Sequence, residues 1–232
     1  MIWVLRITGV SLVVGLIATA FSLPFSNLVT SSDPFVERSI SVPPRPLEVV
    51  CPGALYQLGG ADGTEIDAID PLGDADFYLI RQAEATPFRA SEPAKFLSQS
   101  EGQSSRDLSA YQWQKISEPR ISGTVSLSCK KPATEAVLLG GKTSLGFESL
   151  LIIHNPDVLS TILDLRFYDS KEQVDDSISL APGETKIINL ARYSNTDESV
   201  GVRISSQGGR FAAWVQSKSN SGTTPTGADI SA

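Results

Sequence analysis

The chain has 232 residues, 41% of them hydrophobic and 19% charged, with 19 basic against 26 acidic side chains and a formal net charge of −7. That length suits one large or two small domains plus a targeting segment, and the acidity disfavours a nucleic-acid partner because phosphate backbones are repelled. A single His, His154, excludes a multi-His metal site within one chain, and two Cys leave room for one disulfide.

Residues 1–25 read as an export segment. Ile7 to Phe25 is a run of 19 residues without a charge, about 28 Å of helix at 1.5 Å per residue, close to the hydrocarbon thickness of a bilayer. Arg6 before the run, with Asp33 and Glu37 after it, favours an inside amino terminus and an extracytoplasmic body. Two readings stay open. A cleaved signal peptide would use Ile7–Ile17 and the Ala18-Thr19-Ala20 site, giving a secreted protein. A retained transmembrane helix would use the whole run, and the weak amino-terminal charge together with the length of the run favours it. Either way the rest of the chain is exported. Without Arg6 that remainder holds 18 basic and 26 acidic residues.

Residues 26–46 form a linker, stiffened by Pro34, Pro43, Pro44 and Pro46 and flanked by Ser and Thr. PLEVVCPG (46–53) is the first strand, stopped by Pro52-Gly53. Residues 54–76 read as irregular and acidic, FYLIR (77–81) as a short strand, and the polar stretch 84–107 as a long loop. AYQWQKI (110–116) alternates Tyr111, Trp113 and Lys115 against Ala110, Gln112, Gln114 and Ile116. One face carries two aromatics, as expected of a half-buried strand. RISGTVSLSC (120–129) places Ile121, Val125, Leu127 and Cys129 on one side. In an exported chain Cys51 and Cys129 read as a disulfide, whereas in the cytosol they would read as free thiols.

From 133 the turn signals become denser. EAVLLGG (135–141) is a strand ended by Gly-Gly. LLIIHN (150–155) is continuously apolar, which predicts a central strand buried on both faces. TILDLRFYD (161–169) alternates a core set, Leu163, Leu165 and Phe167, with a wet set that includes Asp164 and Arg166. SISLAPGETKIINL (177–190) reads as two strands turning through Pro182-Gly183. VGVRISSQGGRFAAWVQ (200–216) reads as a hairpin through Gln207-Gly208-Gly209, with Trp214 as a core anchor. The tail from Ser219 is small and polar and reads as partly mobile. The expected fold class is all-β: an immunoglobulin-like antiparallel β-sandwich, or more than one, after a single transmembrane helix. The expected division is an amino-terminal β-rich part at 47–132 with acidic and polar loops, then a carboxy-terminal sandwich at 133–232.

The residues for common catalytic sets are missing. His154 is the one possible His base, but it ends an apolar strand and no Gly-x-Ser-x-Gly elbow exists. Gly59 to Gly63 is Gly-rich without the Lys-Ser/Thr of a P-loop, and no zinc-ligand spacing occurs. The best chemical candidate is the acidic stretch 62–76. Its carboxylates Asp62, Glu65, Asp67 and Asp70 suit a hard cation such as Ca²⁺, although the spacing is not that of an EF-hand and a solvated loop is the plainer reading. No cofactor is expected.

The run C-K-K-P-A-T-E-A-V-L-L-G-G from Cys129 carries a further signal. So do the L-L-I-I-H-N-P and L-A-P-G-E-T segments, V-R-I-S-S-Q-G-G-R-F-A-A-W-V-Q, the closing P-T-G-A-D and the earlier V-V-C-P-G. Together these resemble an actinobacterial family of exported, membrane-anchored envelope proteins of uncharacterised function. The aromatic associated with the E-x-x segment of that family is replaced here by Ala136-Val137. The resemblance implies extracytoplasmic localisation and β-architecture, and carries no catalytic residues. The expected function is therefore that of a non-enzymatic, membrane-tethered binding or scaffold protein of the cell envelope. An envelope protein or a cell-wall glycan would be its partner. The competing expectation is a carboxylate-dependent envelope glycosidase or lyase using the 62–76 loop.

Overall fold

The computed structural model describes residues 46–59, 68–81, 84–98 and 108–232. The segment read as an anchor (1–25), the linker up to residue 45 and residues 62–67 of the acidic loop lie outside the described residues. Among the described residues no helix is long and apolar enough to cross a membrane.

The described chain is all-β, with one 3-10 turn at Leu190–Arg192. The first half supplies β1 (Glu48–Cys51), β2 (Tyr56–Leu58), β3 (Ile69–Pro71), β4 (Ala75–Arg81), β5 (Glu84–Ala90), β6 (Ala94–Leu97), β7 (Ser109–Glu118) and β8 (Ile121–Ser128). The second half supplies β9 (Glu135–Gly140), β10 (Phe147–His154), β11 (Thr161–Tyr168), β12 (Gln173–Leu180), β13 (Thr185–Asn189), β14 (Val200–Ser206), β15 (Ala212–Ser221) and β16 (Thr224–Ser231). They pair antiparallel in three four-stranded sheets, ordered β12-β11-β14-β9, β13-β10-β15-β16 and β5-β4-β7-β8, with two ribbons, β1-β6 and β2-β3.

The sheet containing β10 and β15 is the middle layer. One of its faces packs Leu151, Ile153, Ala213 and Val215 against Leu163, Leu165, Phe167, Val202 and Ile204 of the sheet containing β11 and β14. The other face packs Leu150, Ile152, Trp214 and Ile230 against Val50, Leu55, Tyr56, Ile121 and Val125. This is why LLIIHN is apolar without alternation: β10 is buried on both sides, as its sequence predicts. β11 has one wet face and alternates strictly, with Leu163, Leu165 and Phe167 inside. The second cluster draws residues from both sides of the 132–133 junction, so the two halves share a core. A third cluster lies under the β1-β6 ribbon, around Phe77, Val49, Cys51 and Ala110. β8 runs against β16 at very close range. A methyl at Gly123 would stand 3.2 Å from the Ala228 nitrogen, so a side chain there would have to push β16 back by a few tenths of an ångström.

Several sequence expectations need correction. The polar stretch at 84–98 is two strands, β5 and β6, not a loop. β5 is an edge strand, where Pro87 costs no ladder bond and blocks pairing with another chain. β7 buries Ala110, Gln112, Gln114 and Ile116, the face opposite to its aromatics. Pro182-Gly183 makes a turn, with Gly183 at φ +71°, but β12 and β13 belong to different sheets. The same is true of β14 and β15 across Gly208-Gly209. Both are corners that carry the chain between layers, not hairpins. The tail is β16, paired with β15 from Val215↔Ser231 onward.

The Cys51–Cys129 disulfide is present, with Cα atoms 4.5 Å apart. It closes the end of β1 onto the residue after β8, beside the isolated bridge between Val50 and Lys130.

Candidate functional site

Among the described residues, three places bring together side chains that can do chemistry or bind. The first is a groove of about 890 Å³ where the β10–β11 loop, the β14–β15 corner and the β1-β6 ribbon meet. Its floor is a chain of four charges. The Glu48 carboxylate lies 3.8 Å from Lys95 Nζ and 2.7 Å from Arg210 Nη2, and Arg210 also binds Asp157 through its guanidinium and, at 2.8 Å, through its backbone N–H. Glu48 is almost fully buried, so these partners are what make an ionised carboxylate tolerable there. Hydrogen bonding to Asp157 and then Glu48 raises the Arg210 pKa above its ordinary value, against the opposing effect of burial. Lys95 also donates to the Pro156 carbonyl at 2.7 Å. Its positive charge, added to burial, lowers the pKa of the neighbouring His154 to about 4.

The loop above this floor is built by Asn155. Its side-chain amide donates to the carbonyls of Leu159, Leu180 and Ala181, and its Oδ1 accepts from the Asp157 N–H at 3.0 Å. The Asn155 backbone bonds both Gly183 and Glu184 of the β12–β13 turn. A buried Asn with a full set of partners thus fixes loop 156–160, which carries Val158 and Leu159 outward.

The second place is the outer face of β4, β7 and β8. Tyr78 and Tyr111 stack ring on ring with centroids 4.8 Å apart and planes 8° from parallel. Trp113 donates its indole N–H to the Tyr78 hydroxyl at 3.4 Å. All three are half-buried, and around them lie the exposed Ser126, Ser128 and Lys115 and the ion pair of Arg89 with Asp76 at 3.4 Å. The face therefore combines flat π-surface with hydroxyls and charges, the mixture that receives a hydroxylated ring: its C–H side on an aromatic ring, its hydroxyls on polar neighbours.

The third place is the outer surface of β9, where Val137 and Leu139 are exposed beside Tyr168. Gly201 lies between Leu139 and Tyr168.

Of the acidic candidates, Asp62, Glu65 and Asp67 lie outside the described residues. Asp70 is exposed on β3, opposite Gln57. Farther along the same stretch Asp74 and Asp76 are both within ion-pair distance of Arg89. Among the described residues no group of three or more His, Cys, Asp or Glu side chains could hold a metal ion. His154 is buried, and its Nδ1 is 3.0 Å from the Thr185 hydroxyl, so its partner is a side chain rather than the backbone. Both cysteines are consumed by the disulfide.

The groove and the aromatic face were not legible as sites in the sequence. Glu48 and Arg210 are 162 positions apart, and no local pattern couples them. The aromatic face had a signal, the Tyr111/Trp113 alternation, but that signal marks a half-buried strand and does not say which face meets solvent.

No curated protein and no solved structure matches this chain. Residues 84–232 match the model of a family of unknown function, DUF5719. The match takes in every strand from β5 to β16, well over half of the chain, and the protein belongs to that family.

Proposed function

We propose that this protein is a non-enzymatic binding module of the cell envelope, held at the membrane by its amino-terminal segment with its body outside the cytoplasm. We read the two facing sheets as immunoglobulin-like. The adjacencies β10–β13 and β11–β14 match the B–E and C–F neighbours of that fold, with β9 and β15 exchanged between its A and G places. The resemblance to an actinobacterial envelope family, the uncharged run Ile7–Phe25 and the disulfide all support an exported location.

The ligand class is a glycan, and the observation that carries it is the half-exposed Tyr78–Tyr111–Trp113 face with its polar surround. The test uses the body, residues 46–232, which contains two Trp: Trp214, fully buried, and Trp113 on the face. Titration with soluble fragments of envelope polysaccharide is expected to change the Trp113 emission. Trp113→Ala should weaken binding at least tenfold by calorimetry and leave the thermal midpoint within a few degrees. Binding that is indifferent to Trp113 and Tyr111 would overturn the glycan assignment. Turnover of the polymer, abolished by one carboxylate substitution, would overturn the non-enzymatic one.

A further inference from the structure

Val158 and Leu159, adjacent at the tip of the β10–β11 loop, are 83% and 71% exposed. Laxity does not explain this. Asn155 holds the loop through three carbonyls, and Asp157 is tied to Arg210 at its base. A braced loop that keeps two aliphatic side chains in water forgoes the favourable transfer that burial of each would bring. Leu97 and Ile162 extend the apolar surface along the groove. Beneath it Glu48 and Asp157 are matched by Lys95 and Arg210. This end therefore has no local excess of the negative charge that the chain carries overall.

The occupant follows from where the chain arrives. Pro46 lines the same groove, so the amino-terminal segment enters the body beside this loop. Upstream, residues 26–45 separate Pro46 from the uncharged run Ile7–Phe25. Twenty residues reach at most roughly 70 Å. A body so tethered meets the bilayer at an effective concentration of about millimolar, at which a weak apolar contact becomes populated. We propose that the Val158–Leu159 tip docks on the lipid surface, its two aliphatic side chains entering the headgroup boundary of the membrane that holds the amino-terminal segment. This rests on the tethered reading given above.

The test recreates the tether. All three hydrophobic clusters and the disulfide lie within 46–232, so the body carries its own core. The body, with an amino-terminal hexahistidine tag, is held on phosphatidylcholine vesicles containing nickel-chelating lipid. An environment-sensitive fluorophore is attached at Leu159→Cys or, as a control, at the equally exposed Leu139→Cys on β9. Docking gives a blue shift and a several-fold rise in emission at 159, quenched by spin-labelled lipid, with neither at 139. No change at 159, or equal changes at both positions, overturns the proposal. So does a rise at 159 that grows with protein concentration without vesicles, which would assign the tip to a second copy. The tethered reading is judged separately, by whether the full chain resists carbonate extraction from membranes. A soluble full chain would sink the tether whatever the vesicles report.

Discussion

Gln216 on β15 holds Tyr56 by both sides of its peptide unit. Its Oε1 accepts from the Tyr56 N–H at 2.8 Å, and its Nε2 donates to the Tyr56 carbonyl at 2.7 Å. Gln112 does the same for Gly53, at 3.2 and 2.8 Å. Gln114 accepts from the Leu55 N–H and donates to the Leu72 carbonyl. The chain from Gly53 to Tyr56 is buried with few backbone partners, the Ala54 N–H to the Ser91 carbonyl and the Leu55 carbonyl from the Leu72 N–H among them, and three side-chain amides satisfy backbone groups that no ladder reaches. Gln216→Leu should then strand two buried backbone groups and lower stability by about 2–4 kcal/mol. Urea unfolding reads this directly, and a loss under about 1 kcal/mol would mean that the pairing is replaceable.

The same amides explain part of what the sequence conceals. Periodicity marks which face of β7 differs from the other, but Gln112 and Gln114 look like solvent residues until the backbone groups of Gly53, Leu55 and Leu72 that they satisfy are seen beside them. Strand positions from β9 to β15 were legible because turn residues bound each apolar or alternating run, and composition reports that. Sheet membership was not legible. Ala181-Pro182-Gly183-Glu184 specifies a reversal, and nothing local says whether the chain returns to the same sheet or crosses to the next. β16 escaped notice because it is an edge strand of small polar residues, with Ile230 its one deeply buried apolar side chain. The groove was invisible because its charges come from four distant segments.

The disulfide joins positions 78 apart. Chain-entropy reasoning gives about 4.5 kcal/mol of stabilisation for a loop of that length. Paired Cys51→Ala and Cys129→Ala substitution should therefore lower the unfolding free energy by about 2–5 kcal/mol. Non-reducing peptide mapping should show the two cysteines linked in exported protein, and two freely alkylated thiols there would contradict the pairing.

His154 makes stability pH-dependent in a known direction. Burial, then the Lys95 charge, lowers its pKa from 6.5 to about 4. The folded state thus favours the neutral imidazole. Its contribution is complete above about pH 6.5, is lost as pH falls towards 4, and amounts to order 3 kcal/mol across that window. Because His154 is the chain's one His, its imidazole proton resonance can be followed by NMR without assignment work. The difference in unfolding free energy between wild type and His154→Gln should shrink as pH falls from 7 to 4. A titration midpoint near 6.5 would refute it.

Two arginine ion pairs in the same molecule should behave oppositely. Arg166 meets Asp175 at 2.8 Å on the outer face of β11, where both side chains are about half exposed. Solvent screens that pair and holding two long side chains costs entropy, so Arg166→Met should change stability by less than about 1 kcal/mol. Arg210→Met leaves Glu48 buried with only Lys95, at 3.8 Å, to balance it. That loss should reach about 3–5 kcal/mol, because the penalty is an uncompensated charge rather than a missing attraction. Adding Glu48→Gln to Arg210→Met should recover part of the loss, since an amide needs no counter-charge. A double variant that is less stable than Arg210→Met alone would show instead that Glu48 is held chiefly by Lys95 and by packing, and that the four charges do not act as one chain.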